Sequence, residues 1–172
     1  MSLRSTALLG LALTAWLFPG GVRAQSTIFV TRHEDRGSAE PDPSLTAKGF
    51  CQAQALADLL ADAHITHIYT TNLRRTQQTA APTAERSHVA PVVVAQEDLE
   101  GLIAKIRATA RPGESTLVVG HRGTVPRIVK ALSGQDIAPL GSSEYTRLIA
   151  VTLFPDGHAS VVTLRQGGKC AP

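Results

Sequence analysis

Residues 26–33 have the sequence STIFVTRH, in which an apolar run ends at an arginine and a histidine. The β-branched and aromatic residues of this run predict a buried strand over 26–31. A second apolar run, at 115–120, ends in a similar way, because His121 follows it directly. Reactive side chains gather at the carboxyl ends of parallel strands, so we expect His33 and His121 to lie in one pocket.

Strand patterns and helix patterns alternate along the rest of the chain, as is typical of an α/β layered fold. Apolar and β-rich runs predict further strands at 67–71, 91–95, 115–120, 145–154 and 158–165. Helical spacing predicts helices at 46–63, 73–86, 98–110 and 125–132, the first with Thr46 as N-cap and an apolar face of Phe50, Ala53, Ala57 and Leu60. Asp156 and Gly157 predict a hairpin between the last two strands. The sequence therefore predicts a mostly parallel sheet flanked by helices, with a C-terminal antiparallel hairpin.

A third candidate segment, TNLRRTQQTA at 71–80, places Arg75 at the start of the helix after the second strand. Arg32, His33, Arg75 and His121 together suit the capture of a phosphoryl group. An arginine fork matches phosphate oxygens, and a neutral imidazole is a competent nucleophile near pH 7. Thr124 is a predicted cap for the next helix, whose N-terminus would then face the phosphate.

These four residues, in this order, resemble the pattern of the histidine phosphatase superfamily, also called phosphoglycerate-mutase-like, in which an Arg-His pair ends the first strand. The resemblance extends through 45–53 (LTAKGFCQA), 68–80 (IYTTNLRRTQQTA) and 118–121 (VVGH). It implies an α/β three-layer sandwich and a single domain at 25–172. The family pattern has its arginine two residues after the Leu, which selects Arg75 and leaves Arg74 as a solvated helix charge.

The mechanism that this resemblance implies begins with His33, which attacks phosphorus and forms a phosphohistidine that water hydrolyses. Arg32 and Arg75 hold the equatorial oxygens, and His121 stabilises the charge of the transition state. The resemblance implies no cofactor. Metal ligation is not expected either, because residues 33–35 form the only dense group of metal-ligating residue types.

The proton donor for the leaving alcohol stays open between three carboxylic acids. Larger members of the family carry a Glu beyond the third strand, often within Glu-Gly-x-Trp-Glu-Gly, whereas residues 96–101 here are QEDLEG. Glu97 is the candidate in this segment, and Asp98 is an alternative. Asp35 is a further alternative, because it occupies the place of a frequent family acid after the Arg-His pair.

The first 24 residues have the anatomy of a secretory signal peptide. Arg4 precedes an apolar run at 7–18, and Val22-Arg23-Ala24 offers small residues before a cut after Ala24. The run is too short to span a membrane comfortably, so we expect a periplasmic or secreted protein with no stable membrane insertion after cleavage. Without Arg4 and Arg23 the net charge falls from +3 to +1. With no basic run and few aromatic residues, the chain is not expected to bind nucleic acid.

The predicted function is that of a phosphomonoesterase acting on a small phosphorylated substrate, a sugar or cell-envelope phosphate. The compact chain lacks room for much capping structure, which favours hydrolysis over mutase chemistry. Two alternatives stay open, a non-catalytic phosphate- or phosphoglycan-binding module and a phosphohistidine-protein phosphatase. In an oxidising compartment Cys51 and Cys170 could form a disulfide, but their spacing in sequence does not decide whether they meet.

Overall fold

The computed structural model of the protein describes residues 25–38, 41–167 and 170, so the predicted signal peptide (1–24) lies outside the described residues. Within them, strands and helices alternate as predicted, and most bounds lie within two residues of the prediction. The elements are β1 (Ser26–Arg32), α1 (Ala47–Leu59), β2 (Ile65–Thr71), α2 (Arg74–Ser87), β3 (Val92–Val94), α3 (Leu99–Thr109), β4 (Ser115–Gly120), α4 (Val125–Ser133), β5 (Arg147–Leu153) and β6 (Ala159–Arg165).

The six described strands form one sheet in the order β3-β2-β4-β1-β5-β6. The first four strands in this order are parallel, whereas β5 and β6 are antiparallel to their neighbours. In the centre, β1 pairs with β4 in a register that sets Arg32 beside Gly120. The two strands therefore end side by side, so that His33 and His121 follow neighbouring strand ends.

Helices cover both faces of the sheet and enclose two apolar cores. On one face, α3 and α4 pack against residues of the central strands through Leu102, Ile106, Val125, Ile128, Val129 and Leu132. On the other face, α1 and α2 contribute Leu56 and Ala80 to a core with Leu117, Val119 and Leu148. Burial of these side chains is the main stabilising term. The predicted α/β three-layer sandwich is confirmed.

The first helix differs from its prediction in length and in its buried face. Thr46 caps α1 as predicted, since its Oγ1 accepts a hydrogen bond from the backbone N–H of Gly49 at 3.0 Å. The helix ends at Leu59 rather than near 63, and Phe50 is 47% exposed. A Cβ at position 49 would overlap the backbone oxygen of Asp35. The close approach that Gly49 permits turns this side of α1 toward the segment after β1 and leaves Phe50 in solvent.

The C-terminal part of the chain forms the antiparallel hairpin and is joined to the first helix. The turn at Asp156 and Gly157 joins β5 to β6 as predicted, with Gly157 at φ 86°. Beyond β6, Cys170 forms a disulfide with Cys51 of α1 across a Cα–Cα distance of 5.7 Å, which answers the question left open by the sequence. Among the described helices, none combines the length and apolar character needed to cross a membrane.

Candidate active site

The four predicted site residues meet in one cleft of about 370 Å³ at the carboxyl ends of the parallel strands. Arg32 and His33 come from the end of β1, Arg75 from the first turn of α2, and His121 from the residue after β4. The cleft is lined by Arg32, His33, Arg36, Arg75, Gln96, His121, Arg122, Gly123, Ser142 and Tyr145. Four of these side chains are guanidinium groups, and none is a carboxylate, so the cleft suits a compact anion.

The His33 imidazole is buried and held in one tautomer. Its side chain lies 5.4 Å, centroid to centroid, from the His121 ring, and the residue is only 3% exposed. Nδ1 donates to the backbone carbonyl of Glu34 at 2.8 Å, because a carbonyl oxygen can only accept. Burial, followed by the charges of His121, Arg32 and Arg75, lowers the pKa of His33 to about 3. At neutral pH the ring is therefore uncharged, with its lone pair on Nε2.

His121 is fixed by threonine side chains on both of its sides. Its Nε2 lies 3.1 Å from Thr71 Oγ1, a hydroxyl that can donate or accept. Thr76 Oγ1 in turn contacts Thr71 Oγ1 at 3.0 Å. The backbone N–H of His121 donates to Thr124 Oγ1 at 2.9 Å, so Thr124 anchors His121 and makes no side-chain cap for α4, contrary to the prediction. Burial and the charge of Arg75 lower the pKa of His121 to about 4.

The Arg32 guanidinium is held by the loop that precedes β5. Its NH1 donates to the backbone carbonyls of Gly141, Ser142 and Glu144 at 3.2, 2.9 and 3.2 Å. Its Cζ also lies 4.1 Å from the centroid of the Tyr145 ring, a cation–π contact. Burial lowers the pKa of Arg32, but an arginine keeps its charge at neutral pH. Within the described part of the chain, its buried Nε has no hydrogen-bond partner.

The two adjacent arginines of α2 lie in different environments. The Arg75 side chain is 13% exposed, lines the cleft, and makes a 3.4 Å ion pair with Asp42. The Arg74 side chain is exposed, and its NH1 donates to Ser44 Oγ at 3.3 Å. Burial and the nearby Arg36 charge lower the pKa of Arg75. Of the two, only Arg75 is placed to contact an anion in the cleft.

The three carboxylates predicted as proton donors do not join the two histidines in the cleft. Glu97 is exposed and does not line it. Asp98 is the N-cap of α3, where Oδ1 accepts from the backbone N–H of Gly101 at 2.8 Å. Asp35 Oδ2 accepts from the Thr46 hydroxyl at 2.8 Å. Two of the three carboxylates are therefore engaged in holding the start of a helix.

Sequence reasoning missed Glu34, the residue between the nucleophile candidate and Asp35. Its side chain is fully buried, and among the described residues its one hydrogen-bond donor is the Gln166 side-chain amide, at 3.0 Å from Oε1. Burial raises the pKa of Glu34 to about 8. The sequence offered no signal for this, because acidic side chains are exposed in most proteins and Gln166 lies 132 residues away.

Arg36, Arg122 and Tyr145 are further cleft residues that the sequence analysis did not single out. Arg36 and Arg122 each lie within three residues of a histidine predicted to be in the site, His33 or His121. This nearness in sequence is the one signal that could have identified the two arginines as cleft residues. In the described part of the chain, no group of three His, Cys, Asp or Glu side chains is arranged to hold a metal ion.

Comparison with known proteins agrees with this fold. A family model described as histidine phosphatase superfamily (branch 1) matches residues 25–101. The fold is similar to that of the protein histidine phosphatase SixA complexed with tungstate, at 19% identity and a TM-score of 0.67 over 81% of this chain and 97% of that one. It is also similar to a mycobacterial glucosyl-3-phosphoglycerate phosphatase, at 13% identity and a TM-score of 0.68 over 83% and 100%. Among curated proteins, none matches this sequence.

Proposed function

We propose that this chain, whose residues 25–101 match the model of the histidine phosphatase superfamily (branch 1), hydrolyses phosphate monoesters through a phosphohistidine formed on His33. The observation that carries the proposal is the state of the His33 ring. The ring is neutral, and its Nδ1–H donates to the Glu34 backbone carbonyl. It shares the cleft with the other predicted site residues, Arg32, Arg75 and His121.

The proposed reaction has two half-reactions. In the first, the Nε2 lone pair of His33 forms a bond to phosphorus, the bond to the ester oxygen breaks, and that oxygen leaves with a proton. In the second, a water oxygen attacks phosphorus, the phosphorus–nitrogen bond breaks, and inorganic phosphate and one proton are released. His33 returns to its neutral form, so the cycle is complete without an oxidant or a second substrate.

Arg32 and Arg75 would hold the non-bridging oxygens of the phosphoryl group in this reaction. Both guanidinium groups are partly desolvated, which strengthens their hydrogen bonds to an anion. The neutral His121 ring would donate a hydrogen bond to the transition state, and its contact with the Thr71 hydroxyl can adjust to either tautomer.

Glu97 remains the predicted proton donor, with Asp98 and Asp35 as alternatives. None of the three lines the cleft. Turnover should therefore be fastest for esters whose leaving group needs little protonation, such as aryl phosphates, and slower for alkyl phosphates.

The proposed substrate is a small sugar or cell-envelope phosphate, and the proposed compartment is the periplasm or the exterior of the cell. A cleft of about 370 Å³ suits a small ligand, and its four guanidinium groups favour an anionic one. A disulfide between Cys51 and Cys170 is typical of an oxidising compartment, and the composition of residues 1–24 supports export.

The test is turnover of p-nitrophenyl phosphate by the purified protein, with rapid quenching at neutral pH and mass spectrometry. We expect an added phosphoryl group on His33 and loss of activity in His33→Asn. His88→Asn is the matched control, because His88 is exposed and has φ 56°, a conformation that Asn tolerates. A working assay with no intermediate, together with an active His33→Asn variant, would contradict the mechanism. Phosphate binding without turnover would instead identify a non-catalytic binding module.

A further inference from the structure

Glu34 is a buried carboxyl group directly after His33 that the proposed reaction does not use. Three parts of the fold hold it. Its backbone carbonyl accepts from His33 Nδ1 at 2.8 Å, and its backbone N–H donates to Thr79 Oγ1 of α2 at 2.9 Å. Its Oε1 accepts from Gln166 Nε2 at 3.0 Å, while its buried Oε2 has no partner among the described residues. The position of Glu34 therefore depends on a side chain from the end of the chain.

Gln166 is itself fixed by the C-terminal part of the structure. It follows β6 directly, is 8% exposed, and its backbone N–H donates to the Thr146 carbonyl at 2.8 Å. Four residues later, Cys170 is bonded to Cys51. The helix α1 that carries Cys51 also supports the segment after Glu34, since Gln52 Oε1 accepts from the Asp35 backbone N–H at 3.1 Å. The disulfide thus joins the segment after Gln166 to the helix that holds the segment after His33.

We propose that Gln166, held in place by the Cys51–Cys170 disulfide, is a positioning residue for His33 and acts on it through Glu34. The proposal rests on the proposed role of His33 as the nucleophile. With Gln166 in place, the Glu34 side chain is closed off from water, and this burial keeps the carboxyl group protonated below a pKa of about 8, although the Gln166 hydrogen bond by itself favours the carboxylate. Without Gln166 this hydrogen bond is lost, but water reaches the carboxyl group, and the loss of burial outweighs the lost bond because burial is the largest cause of the raised pKa. The group then ionises, and a negative charge on the residue next to His33 favours the imidazolium form of its ring. An imidazolium has no lone pair to give to phosphorus.

The charges around the two residues make this balance sensitive. Burial opposes ionisation of Glu34 most strongly and Asp35 opposes it as well, whereas the Gln166 hydrogen bond and the Arg32 charge favour it. His121, Arg32 and Arg75 all disfavour a charged His33 ring. A carboxylate at position 34, on the residue next to His33 in the chain, would therefore act against three groups that keep the ring neutral.

The first test compares Gln166→Ala with the unsubstituted protein as the ratio of their kcat/KM values for p-nitrophenyl phosphate from pH 5 to pH 8. The ratio cancels the ionisation of the substrate, which is common to both. A histidine with an ordinary pKa is only about 3% neutral at pH 5. We therefore expect a ratio near one at pH 8 and a loss of about 3- to 30-fold at pH 5. Gln135→Ala is the control, because Gln135 is exposed and donates to Ala159 at the other end of β6.

A loss that is equal at all pH values would overturn the proposal, because Gln166 would then contribute only to packing. A ratio near one at every pH would overturn it as well. Nitrogen-15 NMR of the histidine rings keeps the test independent of turnover. In Gln166→Ala the His33 ring should titrate at a higher pH than in the unsubstituted protein, whether or not the protein is a phosphatase. An unchanged titration contradicts the positioning role, whereas a shifted titration without any turnover contradicts the proposed function alone.

The second test removes the disulfide and leaves Gln166 intact. The double variant Cys51→Ala/Cys170→Ala should show the same loss toward pH 5 as Gln166→Ala, of equal or smaller size. A pH profile identical to that of the unsubstituted protein would show that the disulfide does not hold Gln166, and this part of the proposal would fail.

Discussion

Replacing Glu34 by Gln should stabilise the folded protein at neutral and alkaline pH and change little at pH 4. The Glu34 side chain is fully buried, and its pKa is raised from 4.5 to about 8, chiefly by burial. Between pH 4.5 and about pH 8, the Glu34 carboxyl group is ionised in the unfolded chain but still protonated in the folded protein. A raised folded-state pKa contributes stability that is complete below the unfolded value and is lost as the pH rises toward the folded value. The carboxyl group therefore weakens the fold over the range from about 4.5 to 8.

The size of the effect follows from the width of that range. Each pH unit in which only the folded state holds the proton lowers the free energy of unfolding by about 1.4 kcal/mol. From 4.5 to pH 7 the loss reaches about 3 kcal/mol, which the uncharged Gln side chain avoids. Its carbonyl oxygen can still accept from Gln166 Nε2, and its NH₂ replaces Oε2, which has no partner among the described residues. For a chain of this length, the gain corresponds to about 6–12 °C in Tm.

The assay is denaturant and thermal unfolding of the disulfide-bonded protein at pH 4, 5.5, 7 and 8.5. Glu34→Gln should gain stability over the unsubstituted protein steadily from pH 5.5 upward. Glu97→Gln, at an exposed position, should stay within about 0.5 kcal/mol at every pH. If Glu34→Gln becomes more destabilising as the pH rises, the carboxylate is ionised and stabilising in the folded state, and the reasoning from burial is wrong.

Three further predictions concern the reaction and the maturation of the chain. Arg75→Ala should lower kcat/KM about 30- to 1000-fold, because about 2–4 kcal/mol of transition-state stabilisation is lost. Arg74→Ala, at an exposed position, should change kcat/KM by less than about threefold. Equal losses in the two variants would contradict the assignment of Arg75 as the phosphate-binding arginine. The pKa values of His33 and His121 are lowered to about 3 and about 4, so both rings are neutral above those values. We therefore expect kcat/KM for the substrate dianion to stay constant from pH 5 to 8. A fall in kcat/KM toward acid pH, centred near pH 6.5, would refute this. Protein secreted by an expression host should begin at Gln25 by Edman sequencing. The secreted protein should keep its phosphatase activity in excess chelator. A loss of activity that zinc or magnesium restores would count against the arginine-based mechanism.

Local patterns in the sequence were sufficient for the architecture. Alternating strand and helix periods, the cap at Thr46 and the turn at Asp156 and Gly157 depend on neighbouring residues, so they could be predicted without the tertiary structure. The short motifs around Arg32 and His33 also predicted the superfamily whose model matches residues 25–101. Strand ends that carry polar residues predicted one shared cleft, and the structure brings His33 and His121 together at adjacent strand ends.

Only the tertiary structure decided which distant residues meet. The Cys51–Cys170 bond joins positions 119 residues apart, and Gln166 reaches Glu34 across 132 residues. Sequence periodicity describes one element at a time and carries no information on such pairings. For the same reason it assigned Phe50 to the buried face of α1, whereas the close contact of Gly49 with the segment after β1 sets that face. The neutral state of His33 is likewise a tertiary property, because the burial and surrounding charges that lower its pKa come from strands and helices far apart in the sequence.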